Sequence, residues 1–138
     1  MNAIVEKEFE YEGFKCKVLF LASCYRCGYV GIPSTHELYG KEYDDIAVGC
    51  HGGLTYAESY LNGKYDGLWW IGFDCAHWGD GKDFDKGKEL FKNNPEAMRM
   101  IIQMEQLENM LNRDVVEKPK SLDYCIRECQ SIVRQIRG

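Results

Sequence analysis

Gly67-Leu68-Trp69-Trp70-Ile71-Gly72-Phe73, running on into Asp74-Cys75-Ala76-His77-Trp78-Gly79-Asp80, is the stretch from which the fold of this 138-residue chain is read. A short aromatic and apolar run bounded by glycines reads as a strand. In an extended segment Trp69 and Trp70 face opposite sides, so one ring enters a core while the other needs separate cover or offers a flat apolar platform. Upstream, Ile46-Ala47-Val48 reads as a second strand-like run. Each run ends in a glycine-containing polar break with a histidine, Cys50-His51-Gly52-Gly53 after the first and the segment through His77 after the second. Strands that end this way deliver side chains to a common sheet edge, so residues 48–80 predict a convergent pocket.

Working outward, residues 5–32 read as β structure. Phe9 to Tyr11 is followed by a break at Glu12-Gly13 and by Phe14 to Leu21, the signature of a hairpin; Tyr29 to Ile32 is a further strand that stops at Pro33. Ser34 or Thr35 can cap a short helical turn through Leu38, and a loop is expected around Asn62-Gly63-Lys64. After a charged connector over residues 80–92, Asn94-Pro95 opens a helix whose Met98, Ile101, Met104 and Leu107 share a face. Ser121 caps a last helix striped with Leu122, Cys125, Ile126, Cys129, Ile132, Val133 and Ile136. Strands first and helices last give an α+β class: one domain over residues 1–138, an antiparallel sheet backed by two C-terminal helices.

Composition narrows the function. A net charge of −5 lacks the basic footprint of a protein that binds polymeric nucleic acid. No segment approaches the roughly 20 apolar residues of a membrane span, and the N-terminal residues are too acidic for a secretory leader, so a cytoplasmic protein is expected. Seven cysteines, an odd number, then favour buried thiols or metal ligation over disulfides.

The residues with chemical potential cluster in that predicted pocket. His51, His77, Asp74 and Asp80 have the side chains of a divalent metal site or an acid–base pair, although loop-amide bonding is the plainer role for the two carboxylates. Gly52 and Gly53 can present consecutive amides to an anion, next to Thr55. Tyr39, Tyr43, Tyr56, Trp69, Trp70 and Trp78 supply aromatic faces for a base or sugar. Cys24 and Cys27 have the spacing of half a zinc site but read as buried apolar residues, and residues 80–89 lack the glycine position of a calcium loop. Nothing marks a nucleophile.

Taken in order, Cys27-Gly-Tyr-Val-Gly-Ile-Pro33, Leu38-Tyr-Gly-Lys41, Tyr43-Asp-Asp45, His51-Gly-Gly-Leu-Thr-Tyr56 and Trp69 to Asp80 resemble a family of small uncharacterised proteins of bacteriophages and prophages. The resemblance covers roughly residues 25–82. It implies a phage accessory protein in the host cytoplasm, countering host defence by sequestering a nucleotide signal or by docking on a defence protein; it assigns no residue a role.

The leading expectation is therefore a binding protein without a cofactor. Trp69 or Trp70 and Trp78 would stack on the base of a small anionic, nucleotide-like ligand, while Gly52, Gly53, Lys41 and His51 hold its phosphate. Two alternatives are a hydrolase with zinc or another divalent metal on His51, Asp74, His77 and Asp80, and an inhibitor whose acidic residues 37–45 meet a basic host surface. Homo-oligomers are compatible with any of these.

Overall fold

Two left-handed dipeptides, Glu12-Gly13 and Asn62-Gly63, set the strand pairing, with φ of 49° and 86° in the first and 51° and 78° in the second. The computed structural model describes residues 3–77, 80–111 and 118–138. Its strands are β1 (Ala3–Tyr11), β2 (Phe14–Leu21), β3 (Arg26–Ile32), β4 (Tyr56–Leu61) and β5 (Lys64–Asp74). Its helices are α1 (Phe84–Leu90), α2 (Pro95–Met110) and α3 (Leu122–Ile136). The dipeptides close β1 onto β2 at Tyr11↔Phe14 and β4 onto β5 at Leu61↔Lys64. Two-residue loops with positive φ at both positions match the twist of antiparallel strands. The strand order is β1-β2-β3-β5-β4, antiparallel throughout.

At the centre, β3 and β5 place a glycine opposite an aromatic ring three times: Gly28↔Phe73, Tyr29↔Gly72 and Gly31↔Trp70. Each ring lies across its partner. A methyl group on Gly28 would sit 2.4 Å from Phe73 Cζ, and one on Gly72 would sit 2.4 Å from Tyr29 Cδ1. Such close approach is what a strand glycine permits.

The two faces of the sheet are covered differently. On one, Val18, Val30, Ile71 and Phe73 meet Cys125, Cys129, Ile132 and Val133 of α3, which lies over β3 with its flanks on β2 and β1. The connection between β3 and β4 completes this layer with Leu38, Ile46, Val48 and Leu54. On the other face Leu19, Tyr29, Leu61 and Trp70 are buried in a cluster drawn from the strands alone. Register shifts at Val5/Lys7 and Glu58/Tyr60 sharpen the twist of both edge strands, which helps the sheet wrap around its own side chains.

At the β2–β3 end, Phe20 carries a second cluster with Cys24, Phe91, Ala97 and Ile101, to which α1 and α2 belong. Arg26 is buried there. Its Nε and Nη2 donate to Glu6 at 2.7 and 3.1 Å and its Nη1 to the Lys120 carbonyl at 2.9 Å, fastening β1, β3 and the approach to α3.

The α+β class, the first hairpin and the Asn94 and Ser121 caps are as expected from the sequence. Three local readings change. Residues 46–48 are not a strand, because their connection is tied to α3 side chains rather than to a ladder. The Asn62-Gly63 loop closes a hairpin whose first strand, β4, is too polar to read as one. The connector contains α1, capped by Asp83 Oδ1 accepting from the Lys86 amide at 3.1 Å. Among the described residues, no helix is long and apolar enough to cross a membrane.

Candidate functional site

Residues 46–55 run alongside α3, held by a polar stripe that recurs every three to four residues on the helix: Tyr124, Glu128, Ser131 and Gln135. Gln135 accepts from the Gly49 amide at 2.9 Å and donates to the Gly49 carbonyl at 2.8 Å. Glu128 accepts from the His51 amide at 2.7 Å. The His51 ring closes the series. Its Nδ1 lies 2.8 Å from the Tyr124 hydroxyl and its Nε2 lies 2.9 Å from Asp80 Oδ2, with side-chain exposures of 16% for His51 and 4% for Asp80. Either ring form can place an Nε2 proton on the Asp80 carboxylate; in the neutral imidazole Nδ1 then accepts from the Tyr124 hydroxyl, and in the imidazolium it donates to it.

His77 joins this cluster, its ring centroid 5.7 Å from that of His51. Its amide donates to Asp80 Oδ2 at 3.1 Å. Its Nε2 lies 3.3 Å from Asp74 Oδ1 but makes no aligned hydrogen bond among the described residues. Gly52 makes room for it: φ is +68°, and a methyl group there would lie 2.1 Å from Nε2. Only glycine meets both conditions cheaply.

Three loop amides that an anion could have used are occupied by the chain's own carboxylates. Glu128 takes His51, Asp80 takes His77, and Asp74 Oδ1 takes Ala76 at 3.1 Å. Burial pushes the Asp80 carboxyl upward, but the hydrogen bonds from His51 and the His77 amide, with the charge of Lys120, hold it below its ordinary value. Burial, joined by Glu128, raises the Tyr124 phenol, so it stays protonated near neutrality. The Tyr124–His51–Asp80 chain is thus a clasp between α3 and two loops.

The cavity lies next to the clasp, on the face without a helix. Across the sheet one row reads Tyr56, Gly72, Tyr29, Lys17, and the next reads Asp74, Cys27, Leu19. The missing side chain at Gly72 lets the Tyr29 ring lie down over the strand, and beside it a cleft of about 310 Å³ is lined by Tyr25, Cys27, Tyr29, Thr55, Tyr56 and Asp74. Tyr29 and Tyr56 meet edge to face with centroids 5.2 Å apart and planes at 81°. The Tyr56 hydroxyl donates to the Tyr60 carbonyl, and Thr55 Oγ1 donates to Asp74 Oδ2 at 2.9 Å. Burial raises both phenol pKa values, with Glu58 adding to the effect at Tyr56.

The expected pocket therefore divides. His51, Gly52, His77, Asp74 and Asp80 do converge, and Thr55, Tyr56 and Asp74 line the cleft. Gly53, at φ +82°, serves the turn, its amide donating to the Cys50 carbonyl at 2.9 Å. Trp69 belongs elsewhere: it lies mid-strand on the helix-covered face, its Nε1 donating to the Lys41 carbonyl at 2.8 Å and its ring meeting Tyr39. Five residue steps take the strand from Trp69 to Asp74, roughly 16 Å. Tyr43 is exposed in a single 3-10 turn (Tyr43–Asp45). Trp70 is no platform, being fully buried with Nε1 donating to Asp66 Oδ1 at 3.1 Å. Trp78 lies outside the described residues.

The thiols offer no metal centre. Cys24 and Cys27 are both buried but belong to separate clusters, and the described residues contain no group of three His, Cys, Asp or Glu arranged to hold a metal ion. The Cys75 and Cys125 sulfurs lie 3.7 Å apart, and their mutual hydrogen bond, with burial, raises the Cys75 pKa. Sequence reasoning missed Tyr25, Tyr29, Tyr124 and Glu128 as contributors. The recurrence at positions 124, 128, 131 and 135 was a usable signal for the clasp, whereas the cleft tyrosines needed the strand register. Comparison with family models, curated proteins and solved structures finds no match.

Proposed function

We propose that this chain is a small-molecule-binding protein whose ligand occupies the cleft between Tyr29 and Tyr56. The observation that carries the reading is the cleft on the open face, where Tyr25, Tyr29 and Tyr56 form a wall beside the Asp74 carboxylate and the Thr55 hydroxyl. A cavity of about 310 Å³ suits a ligand the size of a nucleobase or nucleoside, at the small end of ordinary ligand sites. Apolar walls with a few polar groups at one margin are the usual composition of such sites. Thr55 and Asp74 offer oxygen acceptors to a donor on the ligand.

The nucleotide-like expectation survives here as a π-faced group on tyrosine. Its phosphate is not supported, because the Gly53 amide is turned to the Cys50 carbonyl, the His51 and His77 amides are held by carboxylates, and the cleft lining includes no lysine, arginine or histidine among the described residues. Capture without turnover, one role the phage resemblance implies, requires nothing more than this cleft. The test is a calorimetric titration with adenosine and a set of small aromatic and ammonium compounds, repeated on Tyr56→Ala. A ligand of the cleft should lose about 1–3 kcal/mol in the variant. Equal affinity of wild type and variant for every binder would remove the cleft from the function.

A further inference from the structure

The charge around the cleft points to a ligand class opposite to the one the sequence suggested, and this step rests on the cleft reading above. Asp74 is the charged residue in the lining, and its side chain is 32% exposed. Its Oδ1 accepts from Ala76 N–H and its Oδ2 from Thr55 O–H, two neutral donors that orient the carboxylate, and His77 Nε2 lies 3.3 Å from Oδ1. Tyr25, Tyr29 and Tyr56 line the same cleft, and the faces of such rings, unlike their electron-poor edges, attract positive charge. An anion entering here would meet a carboxylate and π faces. A cation would meet a counter-charge and a quadrupole that attracts it.

The chain already uses this chemistry nearby. Lys82 Nζ sits 5.4 Å from the Tyr25 ring centroid, and Lys17 Nζ sits 5.3 Å from that of Trp70, next to Tyr29 in the sheet. Both ammonium groups approach aromatic rings at the margins of the same surface, while among the described residues the rings of Tyr29 and Tyr56 have each other as ring partners.

We infer that the Tyr29–Tyr56 cleft takes a small organic cation, an ammonium carrying methyl or other alkyl substituents, with Asp74 as its counter-charge. Alkyl groups fill the apolar walls, and the positive charge spread over them needs no hydrogen-bond donor from the protein.

Choline and its neutral carbon isostere 3,3-dimethylbutanol separate charge from shape. Followed by NMR shift titration of the full chain, choline should bind, and the isostere should bind on the order of tenfold more weakly. Asp74→Asn, which keeps an acceptor oxygen for Ala76, should bring choline down to the level of the isostere; Tyr56→Leu should weaken it on the order of tenfold. Equal binding of choline and isostere to the wild type, or choline binding undiminished in Asp74→Asn, overturns the inference. If adenosine binds in a Tyr56-dependent way and choline does not, the cation inference fails while the cleft reading stands. If neither moves the Tyr29 or Tyr56 resonances, both fail. Should Asp74→Asn unfold, raising ionic strength on the wild type decides, since choline binding must weaken with salt and isostere binding must not.

Discussion

The helix-covered face of the sheet and the open face bury comparable aromatic bulk by different means. On the covered face Phe73 folds over Gly28 and is sealed by Cys129 of α3, so the gap left by the glycine is filled from both sides. On the open face Tyr29 folds over Gly72 in the same way, but no helix arrives. What would be core on one side becomes a cleft on the other. A glycine opposite an aromatic ring lets the ring lie flat on either face; with a second layer the ring is sealed in, and on the open face its side borders a cleft.

The largest expected effect comes from Trp70. Trp70→Ala should cost about 3–5 kcal/mol, as much as truncating a core aromatic beneath a helix, because its burial is complete although strand residues alone provide it. Urea denaturation of Trp70→Ala beside Ile132→Ala from the covered face makes the comparison directly. A loss under about 1 kcal/mol for Trp70→Ala would show that the open face does not hold its ring closed.

Adding a methyl group to the two glycines should separate the faces further. Gly28→Ala collides with Phe73 and the Cys129 sulfur inside a closed layer, and should cost about 1–3 kcal/mol. Gly72→Ala meets the Tyr29 ring and also the Gly28 carbonyl oxygen, which the β3–β5 pairing holds in place, so the loss should be at least as large and accompanied by a change in the cleft as the ring is displaced. Thermal unfolding gives the order, and a Gly72→Ala variant as stable as the wild type with unmoved Tyr29 resonances would contradict the close packing of that ring on β5. Gly52→Ala should cost about 1–2 kcal/mol from the left-handed backbone alone. It should also displace His77, visible as a shift of the imidazole resonances.

The smallest effect is electrostatic. Because Asp80 is held below its ordinary carboxyl value of 3.8, its contribution to stability is complete above that pH and is lost as pH falls through the lower, folded value. Asp80→Asn should therefore be less stable near neutrality and converge with the wild type at the acid end. Denaturation midpoints measured from pH 6 down to pH 2 check this. A constant difference across that range would mean that Asp80 acts only by shape.

Fold class was legible because it depends on pattern and order. The Glu12-Gly13 turn, the Asn94 and Ser121 caps and the apolar stripe of α3 are local signals, and local geometry realised them. Residues 46–48 misled because three apolar residues between glycine-rich breaks look the same whether their amides face a strand or a helix side chain. The histidine cluster was half legible: proximity of His51 and His77 followed from the two breaks, whereas its meaning depended on Tyr124 and Glu128, more than 70 positions away in the chain. The cleft was not legible at all. Tyr29, Gly72 and Tyr56 form a row only in one register, and a slip of one residue would send each to the other face.

The most direct test of the central claim is an NMR titration of the full chain with adenosine and with choline, with every tyrosine and tryptophan ring assigned. The account predicts that Tyr29, Tyr56 and Thr55 shift together with at least one of the two compounds, while Tyr39, Tyr43 and Trp69 stay still. Shifts confined to Tyr39 and Trp69, or to His51 and His77 with the cleft unmoved, would contradict it.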